Sequence, residues 1–118
     1  MSSVSFPTDW RGKICVLIDD DSLMRTAWAY RARSVGVILH VFEAVKEFLD
    51  SVLAESLDRD TWIFVDSQLG DHVPSGELAA LGIHDRGFKS ICLATGYEPA
   101  SLNPPKWISR VIGKEPPF

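Results

Sequence analysis

The chain has 118 residues, 46% of them hydrophobic and 24% charged, enough for one domain whose core needs no disulfide or structural metal. A formal charge of -4, with no block of lysine and arginine, argues against nucleic acid or an anionic membrane surface as the main partner. The longest apolar run, Ile14 to Ile18, is far short of the roughly 20 residues that span a bilayer, and no basic and apolar leader precedes it, so a cytoplasmic protein is expected.

Residues 1–12 mix Ser, Pro, Asp and Gly around Trp10 and read as a leader segment ahead of a domain over 13–118, with Trp10 able to pack on that domain. Ile14 to Ile18, stopped by Asp19, Asp20 and Asp21, has the pattern of a strand covered on both faces. Asp21 or Ser22 then caps a helix near 22–35, with Met24, Ala27, Trp28 and Tyr30 as an approximate apolar stripe and Gly36 as its terminator. Val37 to Phe42 reads as a second strand. Val45, Phe48, Leu49, Val52 and Leu53 follow at the spacing of a single one-sided helix.

Trp62 to Val65 is a third buried strand ending in Asp66, and a polar loop runs from there to Gly76. A short helix around Leu78 and Leu81 leads to a fourth strand, Ser90 to Ala94, which ends in Thr95-Gly96. A fifth strand, Trp107 to Ile112, ends in Gly113-Lys114, and Pro99, Pro104 and Pro105 leave room for one or two helical turns between these last two strands. Cys15 and Cys92 lie inside apolar runs, as buried reduced thiols do. His40, His72 and His84 share no metal-ligand spacing with one another or with cysteine.

Strands alternating with helices imply right-handed crossovers and a mainly parallel α/β sheet, whose strand C-termini share one edge. That edge gathers Asp19, Asp20, Asp66, Thr95 and Lys114. Three carboxylates brought together repel one another, and a hard divalent cation is the natural remedy. Mg²⁺ takes oxygen ligands and commonly bridges carboxylate to phosphate. Asp20 and Asp66 are candidate direct ligands, with Asp19 acting through water and a backbone carbonyl as a further ligand. Thr95 and Lys114 are donors suited to the remaining phosphate oxygens, while a carboxylate could act as nucleophile and form an aspartyl phosphate. Singly, each residue has a plainer role: Asp20 or Asp21 as a helix cap, Asp66 as a turn former, Thr95 as a strand-end hydroxyl, Lys114 as a solvated charge. Their order at successive strand ends favours one shared site.

These residues resemble the receiver domain of two-component response regulators. The resemblance runs from about Lys13 to Lys114 through Ile18-Asp19-Asp20-Asp21, Phe64-Val65-Asp66-Ser67-Gln68-Leu69-Gly70, Leu93-Ala94-Thr95-Gly96 and Gly113-Lys114. It implies a doubly wound, flavodoxin-like sheet of five parallel strands in the order 2-1-3-4-5. It further implies Asp66 as phosphoacceptor, Asp19 and Asp20 as the acidic metal pair, the Gln68 carbonyl as a Mg²⁺ ligand, and Thr95 and Lys114 as switch and phosphate-contacting residues. The implied partners are a sensor histidine kinase or histidine phosphotransfer protein that donates the phosphoryl group, and a downstream protein target. Such a domain is a switch that also dephosphorylates itself, not a turnover enzyme.

Several features depart from the family pattern. The loop from Asp66 to Gly76 is long, so Asp71-His72-Val73-Pro74 reads as an insertion beside the site; Val111 stands where a switching aromatic is common; and Glu115 after Lys114 favours a trans bond. The fourth helix is short and the chain stops four residues after Lys114, before any fifth helix. An open apolar face would follow, to be covered by Trp10 and the leader, by Phe118, or by a second chain in a homodimer. Two other readings are a pseudo-receiver that docks without being phosphorylated, and a haloacid dehalogenase-like phosphatase that uses Asp19 as nucleophile within Asp19-Asp20-Asp21.

Overall fold

Alternate side chains of each inner strand leave for opposite faces of the sheet, so an uninterrupted apolar strand needs cover on both. In the computed structural model, which describes residues 5–69 and 75–118, this happens in β1 (Ile14–Ile18), β3 (Trp62–Asp66) and β4 (Ile91–Ala94). Cys15, Leu17, Trp62, Phe64 and Cys92 enter one core cluster, whereas Val16, Ile18, Ile63, Val65, Ile91 and Leu93 enter the other. With β2 (Ile38–Phe42) and β5 (Arg110–Ile112) at the edges, the five strands are all parallel in the order β2-β1-β3-β4-β5. The insertion expected at Asp71 to Pro74 lies outside the described residues.

Helix α1 (Ser22–Val35) covers the first face. Asp21 caps it by accepting from the Leu23 amide at 2.9 Å, and Gly36 ends it at φ 80°, a left-handed conformation that favours glycine. Its inward stripe is Met24, Trp28, Ala32 and Val35 rather than the expected Met24, Ala27, Trp28 and Tyr30; Tyr30 is 74% exposed. Residues four and seven apart share a helix side, and Tyr30, two positions from Trp28, falls on the far side.

The second face carries three helices, where the sequence pattern predicted two. The single helix expected around Val45 to Leu53 is split into α2 (Val45–Leu49) and α3 (Val52–Ser56). Ser51 sits between them in an extended conformation and caps α3, its hydroxyl oxygen accepting from the Ala54 amide. The break turns Val52 outward, 80% exposed, and brings Ala54 into the core instead. Helix α4 (Gly76–Asp85) adds Ala80 and Ile83 to the same cluster.

The β4 to β5 connection contains one 3-10 turn, Pro99–Ser101. The fifth strand is shorter than the expected Trp107 to Ile112. Ile108 donates to the Pro105 carbonyl in a turn, and Trp107 donates from its indole nitrogen to the Glu77 carbonyl of α4 at 2.7 Å. Both apolar residues pack in the second-face core before the ladder begins.

No helix follows β5 among the described residues, yet the first face is not open. Phe6 lies 4.7 Å edge-on to Trp62, Trp10 lies 5.6 Å from Phe118, and the Arg110 guanidinium sits 4.1 Å over the Phe6 ring. Phe118 is buried against Trp28 and Phe64 stays fully covered, so of the covers expected for this face, both Trp10 with the leader and Phe118 lie on it.

Candidate functional site

In a doubly wound sheet the strand order reverses between β1 and β3, and the loops leaving the two diverge to open a crevice. Asp19 and Asp20 leave β1 there and Asp66 ends β3. One carboxylate oxygen from each of the three lies within 4.8 Å of the others. The cleft they share has a volume of about 400 Å³ and is also lined by Met24, Ser67, Gln68, Tyr97 and Lys114.

Asp19 and Asp66 are buried, while Asp20 is exposed. Lys114, brought in by the segment after β5, places its ammonium on Asp66 Oδ1 and 3.7 Å from Asp19 Oδ2. Three carboxylates facing one ammonium leave two negative charges uncompensated, and every side-chain ligand atom on offer is a hard oxygen. That donor set fits Mg²⁺ or Ca²⁺ and not a soft metal. Burial pushes the Asp19 carboxyl up to about 6, and the charges of Asp66 and Asp20 push the same way; the Asp21 amide hydrogen bond and Lys114 oppose them.

The main chain around the cleft is fixed by side chains. Asp19 Oδ1 accepts from the Asp21 amide at 2.9 Å, and the Asp19 carbonyl accepts from Arg25 Nη1 at 2.8 Å. Arg25, which the sequence pattern did not single out, also reaches Glu43 at 3.5 Å. The Gln68 amide donates to Asp66 Oδ1 at 3.3 Å. Thr95 is buried behind the cleft and does not line it: its amide donates to the Ile112 carbonyl, and its hydroxyl oxygen accepts from the Tyr97 amide at 3.1 Å. Val111 is half-buried in the second-face core. The Lys114–Glu115 bond is trans, as expected.

Gly76 opens α4 directly against the end of β3. A Cβ built there would stand 1.9 Å from the Asp66 carbonyl oxygen, so only glycine allows this approach. The Gly76 amide donates to the Ser67 carbonyl at 3.1 Å, and the Ser67 amide donates to the Ala94 carbonyl at 2.9 Å. Helix α4 is thereby tied to the strand end that presents Asp66.

No protein-family model and no curated protein matches the sequence. Two solved structures do match in shape. One is an aspartate-to-alanine mutant of the receiver domain of the histidine kinase CKI1 from Arabidopsis thaliana, with a TM-score of 0.69 at 20% identity over 89% of this chain and 83% of that one. The chain has the receiver fold. The second match is a response regulator from Burkholderia pseudomallei with a phosphorylated aspartic acid, calcium ion and citrate; its TM-score is 0.64 at 20% identity over 86% of this chain and 59% of that one. The strand order is the one expected of a receiver fold. No described helix is long and apolar enough to cross a membrane.

Proposed function

We propose that this chain is a phosphoacceptor receiver domain of a two-component or phosphorelay system, with Asp66 accepting the phosphoryl group and Asp19, Asp20, Asp66 and the Gln68 carbonyl holding Mg²⁺. The observation that carries the reading is the convergence of Asp19, Asp20, Asp66 and Lys114 on one cleft at the switch point of the sheet. When bound, the cation neutralises the acid cluster and the charge on the incoming phosphoryl oxygens.

An Asp66 carboxylate oxygen would form the new P–O bond as the P–N bond of a phosphohistidine breaks and its electron pair returns to the imidazole. The Lys114 ammonium, already on Asp66, would follow the charge onto a phosphoryl oxygen. Thr95, one residue past the β4 end, would turn its hydroxyl toward a phosphoryl oxygen as donor, giving up the hydrogen bond it now accepts from the Tyr97 amide. A sensor kinase or histidine phosphotransfer protein would supply the group, and a downstream protein would read the modified surface. The phosphatase alternative built on Asp19 fits less well, because Asp21 is used as the cap of α1 and Asp66 shares the cleft.

Intact-mass measurement after incubation with Mg²⁺ and acetyl phosphate tests the reading. One phosphoryl adduct is expected, absent with EDTA and absent in Asp66→Asn. A wild-type chain that stays unmodified with acetyl phosphate and with phosphorylated histidine phosphotransfer proteins would overturn it.

A further inference from the structure

Trp28 touches the supports of both groups that meet at the cleft. Its buried ring lies 5.2 Å from Phe64, two residues before Asp66 on β3. Its Nε1–H donates at 2.8 Å to the main-chain carbonyl of Lys114, the residue whose ammonium grips Asp66. The β4–β5 ladder pairs Ala94 with Ile112 and goes no further. Lys114 lies two residues beyond, where a helix side chain and not the sheet holds its main chain. Arg31, one turn along α1, donates to the Phe118 carbonyl at 2.9 Å, and Phe118 stands edge-on to Trp28 at 5.8 Å.

We propose that Trp28 is a positioning residue for Lys114. By holding the Lys114 carbonyl while packed on Phe64, it sets where the ammonium stands relative to Asp66. The inference rests on the proposed function for its consequence, the rate at which Asp66 is modified, but not for the positioning itself. A long side chain delivers its charge reproducibly only if its backbone root is fixed, and a segment without ladder bonds has few other fixings.

The test uses Trp28→Phe, which keeps an aromatic ring on Phe64 and removes the N–H donor. Phe88→Leu, in the core of the opposite face against Phe48 and outside α4, serves as a destabilised control. Labelling of Asp66 by acetyl phosphate and Mg²⁺ is expected to slow about five-fold in Trp28→Phe, the size of one neutral hydrogen bond, and to stay at the wild-type rate in Phe88→Leu. In a Lys114→Ala background, adding Trp28→Phe is expected to change nothing further. The ammonium resonance of Lys114 in metal-free protein is expected to shift in Trp28→Phe and not in Phe88→Leu.

Equal labelling of Trp28→Phe and wild type, equal slowing in the Phe88→Leu control, or the same slowing without Lys114 would each overturn the proposal. An unmoved Lys114 resonance would overturn it whatever the labelling shows. If wild-type protein is not labelled at all, the proposed function fails while the resonance still decides the positioning.

Discussion

The two faces of the sheet are closed by different means. On the second face, α2, α3 and α4 lay mostly aliphatic and alanine side chains over Val16, Ile18, Ile63, Val65, Ile91 and Leu93. On the first, a single helix is joined by Phe6, Trp10 and Phe118, segments without regular structure whose rings meet Trp28, Trp62 and Phe64. An apolar face demands area, not a helix, and a few rings of 150 to 250 Å² each can supply it. Each face also reaches the cleft by its own contact: the second through Gly76 on the Asp66 carbonyl, the first through Trp28 on the Lys114 carbonyl.

Gly76→Ala is expected to have the widest effect, on stability and on the cleft together, because a methyl 1.9 Å from a backbone oxygen must displace either α4 or the end of β3. A loss of about 3 kcal/mol in denaturant unfolding, together with loss of divalent-cation binding by titration calorimetry, is anticipated. Wild-type behaviour would show that α4 does not position Asp66.

Phe64→Ala and Phe6→Ala separate the core of the first face from its cover. Phe64 is fully buried, and its truncation is expected to cost about 3 to 5 kcal/mol. Phe6, half-buried over Trp62 and under Arg110, is expected to cost about 1 to 2 kcal/mol. Chemical denaturation measures both, and equal costs would make the cover as integral as the core.

The cleft adds a pH dependence that neither face has. The folded Asp19 carboxyl, raised to about 6 from 3.8, keeps a proton that the unfolded chain has already released between those values. The metal-free folded state therefore loses stability as pH rises from about 4 to 6. Added Mg²⁺, which needs the ionised carboxylate, is expected to stabilise increasingly over the same window. Melting temperatures of wild type and Asp19→Asn with and without Mg²⁺ test this; the amide variant is expected to lose most of the slope.

The smallest effect is assigned to Asp21→Ala, which removes the cap of α1 but no core contact. A loss of about 1 kcal/mol is expected by thermal unfolding. A loss as large as that of Phe64→Ala would mean that Asp21 does more than cap.

The positions of β1 to β4, the cap at Asp21, the stop at Gly36 and the acids at the strand ends were legible because they depend on local pattern and on one topological rule. Parallel strands put their C-termini on one edge, where Asp19, Asp20, Asp66 and Lys114 meet, whereas Thr95 on the same edge sits behind the cleft. The split of the Val45 to Leu53 helix was hidden, since Ser51 is compatible with a helix interior and the apolar spacing runs through it. The short β5 was hidden too, because Trp107 and Ile108 are as apolar as strand residues yet bury themselves against α4 and the core instead.

Short-range periodicity and strand polarity were enough to read the order of the strands, the apolar content of both faces and the chemical groups delivered to the cleft edge. Three-dimensional packing picked Phe6, Trp10 and Phe118 together from the covers expected for the first face, and it placed the Trp28 indole on the Lys114 carbonyl across 86 residues of chain. Contacts so distant in sequence are set by which surfaces the folded layers leave to be filled, and no local pattern carries that information.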